Sequence, residues 1–301
     1  MRSLLLLVLV YGLACTQVPA MFSLQAVLDL LHDQAMLGFV VLGVSCVLIA
    51  GGLDLSVGAV LAAASAFVAT RLAAGWSMPA AFAGAAGLGL AVGAVNGLCI
   101  DRLRLPPFLV TLATMFAVRG LALALHDGAC AITVPAHVAW TEHKVLAAAW
   151  LCCAALLAWA MRHARSGRDL YALGVNEAAA LLLGVPVRRA RLLAYGLSGL
   201  AAAVAGIAFT LYGGSGDGNA ATGLELDALA ACVVGGVSLR GGRGTVLGAV
   251  AGVLILGTIQ SALTFMGTLS AGWLRLAIGG VLLLFLAVQR LAARVPRRSA
   301  V

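Results

Sequence analysis

Charge is what this sequence has least of. Asp, Glu, Lys and Arg together make 10% of the chain, aromatic residues make 6%, and Lys144 is the lone lysine. With 63% hydrophobic residues over 301 positions and a mean hydropathy of +1.08, a water-soluble domain is excluded. That much apolar surface needs lipid as its solvent. The formal charge of +8 does not point to nucleic acid, because the basic residues stand in short clusters between apolar runs and no basic patch interleaves with aromatics. Also missing is any GxxxxGK[ST], so the chain has no phosphate cradle for ATP. The seven cysteines show no CxxC pair, and His32, His126, His137, His143 and His163 lack metal-ligand spacing. No metal and no cofactor are expected, and neither is an enzyme, which would need a nucleophile–base pair or a metal cluster.

The apolar runs that remain divide at polar and Gly/Pro punctuation into about ten segments, near 3–19, 35–50, 55–74, 79–100, 107–125, 144–161, 192–212, 226–239, 244–265 and 272–290. The expected fold class is therefore all-α, a polytopic transmembrane helical bundle treated as one permease domain, 1–301. The first segment competes with a signal peptide, and a first transmembrane helix is preferred because everything after it is also membrane-embedded. With the N-terminus inside, fifteen arginines fall on the cytoplasmic side, from Arg2 through Arg102, Arg104, the 162–191 cluster, Arg240 and Arg243 to Arg298. Arg71, Arg119, Lys144 and Arg275 fall in the outer half or outside. That asymmetry predicts both termini in the cytoplasm. Gly89, Gly93 and Gly97, and Gly248 and Gly252, recur at four-residue spacing and predict close helix packing, whereas Trp76, Trp140, Trp150, Trp159 and Trp273 are expected to anchor span ends at the interface.

Two features do not belong in a plain bundle. In IAGGLDLSVGAV, Asp54 stands inside an apolar run directly after Gly51-Gly52 and Leu53. An ionised carboxylate costs about 2.5–3.5 kcal/mol at the centre of a membrane helix on insertion scales. It should therefore face a cavity, a partner or a helix start. Asp54 or Ser56 is expected to cap a helix beginning at Val57, either as a structural device or as part of a solute path. A weaker echo, VVGGVSLRGGRG, follows Val233, and paired Gly-interrupted segments in the two halves of a transporter point to a path between them. Arg119 lies about twelve residues into the fifth segment, paired structurally or touching a polar solute. Asn96, Thr111 and Thr114 on neighbouring segments complete a candidate hydrophilic seam of neutral groups able to meet a sugar hydroxyl.

The second feature is the polar loop 162–191. Within it Asn176-Glu177 starts a short run of helix formers that Gly184 and Pro186 stop. About ten residues span about 15 Å, half a bilayer core, so this helix is expected to lie on the cytoplasmic face. Its apolar side (Ala178, Leu181, Leu182) suits lipid headgroups or a groove on a partner protein.

Taken in order, GGLDLSVGAV, NGLCIDRLRLPPFLVTLATMFAVRGLAL, GRDLYALGVNEAAALLLGV and LDALAACVVGGVSLRGGRGTVLGAVAGVLILGTIQSAL resemble the permease subunits of ribose-type sugar ABC importers over nearly the whole chain. The ending MGTLSAGWLRLAIGGVLLLFLAVQR is most similar to one of the two permeases of the bacterial galactofuranose importer. The resemblance implies a multi-pass protein of the bacterial inner membrane with two permeases, homo- or heterodimeric, two ATP-binding cassette ATPase subunits and a periplasmic sugar-binding protein. It implies ATPase contact in the stretch from Gly174 to Val185, at Gly174, Asn176, Glu177, Ala178, Leu181 and Gly184; Asp54, Ser56, Asn96, Thr111, Thr114 and Arg119 remain the candidate sugar path on the reading of the residues themselves. Val175 departs from a usual second glycine, and the connection from His126 to His143 is short for the family. The rival from another class is an ion-coupled secondary carrier, for which Asp54 is thin support in a chain with so few intramembrane acids.

Overall fold

The computed structural model describes residues 2–126, 128–132 and 143–266, with 276, 279 and 280 standing alone. The tenth expected span, the C-terminal arginines, Trp140, Trp273 and most of the 126–143 connection lie outside the described residues.

Helices dominate: α1 Arg2–Gln17, α2 Leu24–Asp33, α3 Ala35–Ile49, α4 Val57–Ala73, α5 Met78–Arg102, α6 Pro107–Leu125, α7 His143–His163, α8 Arg165–Val175, α9 Glu177–Leu182, α10 Val187–Gly213, α11 Leu224–Val234 and α12 Val246–Met266. Two three-residue strands, β1 Ala129–Ala131 and β2 Ser215–Asp217, pair antiparallel with Cys130 opposite Gly216. The chain is thus an all-α polytopic membrane protein. Among the described residues five helices (α5, α6, most of α7, α10 and α12) are long and apolar enough to cross a membrane, and a sixth span follows if α2 and α3, bent by 54° at Gln34, count as one. α1 and α4, at 16 and 17 residues, are shorter apolar helices, and α11 has 11 residues.

Burial explains the layering. α3 is buried at fourteen of its fifteen positions, and α4 at thirteen of seventeen, so the two helices flanking the Asp54 break form the centre of the bundle. They are apolar all round, as a helix with no exposed face should be. α5, α6 and α7 wrap them and leave most of their own surface outward. α10 meets α3, α4 and α5. The glycine spacing does what it predicts: a Cβ at Gly89 would overlap the carbonyl of Gly199 on α10, and one at Gly93 would overlap that of Tyr195. Gly252 likewise sits against the Ala231 carbonyl of α11.

At one end of the bundle meet the end of α5, the starts of α6 and α10, all of α8 and α9, the α3–α4 break and residues 235–245. Arg102, Arg104, Arg168, Arg188, Arg189, Arg191, Arg240 and Arg243 gather there. Arg71 sits at the opposite end, its guanidinium carbon 5.6 Å from the ring centres of Phe67 and Trp76.

Three expectations change. Trp150 is fully buried against Gly38 and donates its indole N–H to Leu31 O at 2.9 Å, so it locks α7 onto α2–α3 instead of anchoring at an interface. Residues 165–175, read as loop, form a helix whose Gly167, Leu170 and Leu173 turn inward. The surface helix is six residues, about 9 Å long.

Candidate functional site

Between Ile49 and Val57 the chain leaves helical geometry inside the bundle. Gly51 takes φ +81°, a left-handed conformation that glycine adopts without steric penalty, and this turns the backbone out of α3. Asp54 then points inward, with 1% of its surface exposed. Its Oδ1 accepts from the backbone N–H of Ser56 at 2.9 Å and from the Ser56 hydroxyl at 2.6 Å, and Oδ2 accepts from the Ser198 hydroxyl of α10 at 2.7 Å. Neither side chain caps the first turn of α4, as the sequence suggested; Ser56 is the residue before the helix and makes no side-chain cap. The carboxyl group instead satisfies the residue that precedes the helix and ties the break to α10.

From Ser56 the bonds run on. Asn96 Nδ2 of α5 donates to the Ser56 hydroxyl at 3.0 Å, and the Thr114 hydroxyl of α6 donates to Asn96 Oδ1 at 2.7 Å. Ser198, Asp54, Ser56, Asn96 and Thr114 therefore form one chain across α10, the break, α5 and α6. Such a chain is stable in a low-dielectric interior because each member has a partner. Thr111 is buried beside it but donates to Pro107 O of its own helix at 2.9 Å. Arg119 stands apart, donating to the carbonyls of Gly218 and Ala220 at 3.1 and 2.7 Å.

The surface segment has its own architecture. Asn176 caps α9 by accepting from Ala179 N at 3.1 Å, and Gly184 ends the segment at φ +75°. Glu177 pairs with Arg191 at 2.7 Å, and the same guanidinium reaches Asp101 at 2.8 Å, so one cation of α10 holds both α9 and the end of α5. Ala178, Leu181, Leu182 and Leu183 face outward, with Leu182 90% exposed. Inward, Gly174 lies where a Cβ would overlap both the carbonyl of Ile49 and the amide of Gly242. The break after α3, the end of α8 and the second glycine-rich break are thus in backbone contact. A cleft of ≈ 1120 Å³ opens beside them, bordered by Gly52, Asp101, Gly174, Arg189, Arg191 and Tyr195.

The sequence reading missed Ser198, Tyr195 and the α8 helix. Tyr195 donates to Leu53 O at 3.2 Å and so holds the break one turn from Ser198. A lone serine or tyrosine in an apolar helix carries no signal of its partner. α8 did: apolar residues at 170 and 173, with Gly167 and Gly174, mark one helical face.

Comparison with known proteins agrees with this architecture. The family profile described as "Branched-chain amino acid transport system / permease component" matches residues 26–287. The inner membrane ABC transporter permease protein YjfF of Escherichia coli strain K12 is 38% identical over 297 residues, covering 94% of this chain and 89% of that one. The ribose import permease protein RbsC of the same strain is 34% identical over 284 residues, covering 89% and 87%. The autoinducer 2 import system permease protein LsrC of Enterobacter sp. strain 638 is 34% identical over 289 residues, covering 94% and 84%. No solved structure gives a significant match. Matched along most of its length and built from membrane-crossing helices, the chain belongs to the branched-chain amino acid transport system / permease component family and is an inner-membrane transport subunit rather than an enzyme.

Proposed function

We propose that this chain is the membrane-spanning subunit of an ATP-driven importer for a monosaccharide, working as one permease domain in which loop 162–191 is the cytoplasmic coupling element. The relatives are import permeases, which leaves an ion-coupled carrier without support. Membership of a family of binding-protein-dependent importers implies an ATPase and a solute-binding partner. The finer assembly we infer is a second permease, identical or different, a pair of ATP-binding cassette subunits and a periplasmic sugar-binding protein. Galactofuranose and ribose are the first cargoes to test.

The observation that carries the reading is the handle at Asn176–Gly184. It presents Leu181, Leu182 and Leu183 outward, is fixed by Arg191, and touches both glycine breaks through Gly174. An exposed leucine knob suits a hydrophobic groove on an ATPase. Closing of that ATPase dimer supplies the differential stabilisation that alternating access requires. In this reading the Asp54–Ser56–Asn96–Thr114 chain holds the wall of the sugar path in shape, while Thr111 and Arg119 flank it. Leu181→Glu, at an outward position 58% exposed, tests the assignment. Insertion and melting should stay near wild type while sugar uptake is abolished; wild-type uptake by this variant would refute the coupling role.

A further inference from the structure

We infer that residues 217–225 form this subunit's solute-contacting wall, in which Asn219 and Thr222 offer hydrogen-bonding groups to a polyhydroxylated solute. The inference deepens the proposed function and rests on it for the class of cargo. It begins with depth. After α10 ends at Gly213, the chain does not stay at that end of the bundle. Gly216 packs on Ser65 and Ala69 of α4, whereas Ala221 and Glu225 pack on Gly58. Seven helical residues separate those contacts, so the loop descends about 10 Å alongside α4. Gly58 is itself about 22 Å from the far end of α4 at Ala73. α11 starts from this depth and runs on to the arginine-bearing end, where Gly235 meets Gly248.

Residues 218–223 are therefore non-helical backbone within the thickness of the bundle. In hydrocarbon every polar backbone group needs a partner, so such a segment is tolerated only where protein buries it or water lines it. Two carbonyls here are satisfied by Arg119, which braces the loop from α6. Its outer side is not covered. Asn219 and Thr222 are exposed, and the Asn219 carboxamide makes no hydrogen bond among the described residues. Glu225 uses Oε1 to accept from Gly223 N at 3.2 Å, while its Oε2 is shielded and has no partner among the described residues. Ala221 is held at φ +57°, a conformation costly for a side-chain-bearing residue and concentrated at functional sites. A polar face of this kind cannot face lipid tails. It fits water and a solute rich in hydroxyl groups, since the exposed Asn219 carboxamide supplies donors and an acceptor, and the Thr222 hydroxyl, which donates to Asn219 O, still has lone pairs to accept with.

Two measurements on the whole transporter test this. In membrane vesicles, Asn219→Cys and Thr222→Cys are exposed to a permanently charged methanethiosulfonate reagent, which hydrocarbon excludes. Modification at least ten-fold faster than that of the parent's own thiols is expected, with loss of uptake. Modification no faster than the parent, in variants that elute as folded protein, overturns the inference. Separately, Asn219→Leu should lower sugar uptake at least ten-fold while ATP hydrolysis stays within two-fold of wild type. A parallel fall of both, or unchanged uptake, overturns the solute-contacting role. If the wild-type transporter takes up no sugar, the proposed cargo class fails, yet the labelling still reports whether water reaches this loop.

Discussion

The amide of Gly242 donates to the carbonyl of Ile49 across 2.9 Å, joining two breaks almost two hundred residues apart in sequence. Ile49 ends α3, and Gly242 lies between α11 and α12. Gly174 closes over this bond from the surface side. Substitution there adds a methyl group against main-chain atoms that cannot rotate away. Gly174→Ala should lower the melting temperature in detergent, as overpacking by about 1–3 kcal/mol would, and should depress uptake further than the loss of folded protein accounts for. Wild-type melting and uptake would remove the junction from any coupling role.

The Asp54 chain gives a second expectation. Ser198→Ala withdraws the donor to Asp54 Oδ2. A buried acceptor left without its partner costs about 1–3 kcal/mol, and thermal melting of the purified chain should show it. Ser45→Ala is the comparison, because that buried hydroxyl donates to Leu42 O of its own helix and is not bonded to Asp54. Equal melting of the two variants would mean that the bond to Asp54 carries no weight.

Leu182 offers a cleaner test of partner binding. It is 90% exposed, so Leu182→Glu removes almost no internal packing. The melting temperature should not move, whereas co-purification with the ATPase subunit should fall at least ten-fold. Retained co-purification would leave the leucine knob to the lipid surface instead.

A pair of glycines on α5 separates packing from propensity. Gly87 has nothing near its missing Cβ, but Gly93 faces the main chain of α10. Alanine is favoured over glycine in a helix interior by about 1 kcal/mol. Gly87→Ala should therefore hold or raise stability and Gly93→Ala should lower it, measured as unfolding midpoints in the same detergent. Changes of the same sign in both would show that the close approach is not energetically important.

Much of this was legible in the sequence because lipid imposes a simple demand on it: long apolar runs, broken only where something polar is compensated. The bounds of most helices (though not of α2 at Leu24–Asp33), the break at Gly51–Ser56 and the packing role of Gly89 and Gly93 follow from that demand. What was not legible is tertiary. Ser198 lies 144 residues from Asp54, and no local pattern in LLAYGLSGLAAAV marks it as a partner. Trp150 reads as an interfacial anchor by position, and only the space above Gly38 makes it a core residue. α8 escaped because Arg165, Arg168 and Asp169 mask a short inward face.

The contact of α5 with α10 has a mechanical corollary. At Gly89, Gly93 and Gly199 the two helices meet main chain to main chain. No rotamers stand between them to be reshuffled, so the pair has no alternative way to fit and should travel as a single stiff plate. Whatever flexes during a working cycle is thereby confined to the margins of that plate: the kink after α3, the short pieces α8 and α9, and the stretch from 235 to 245.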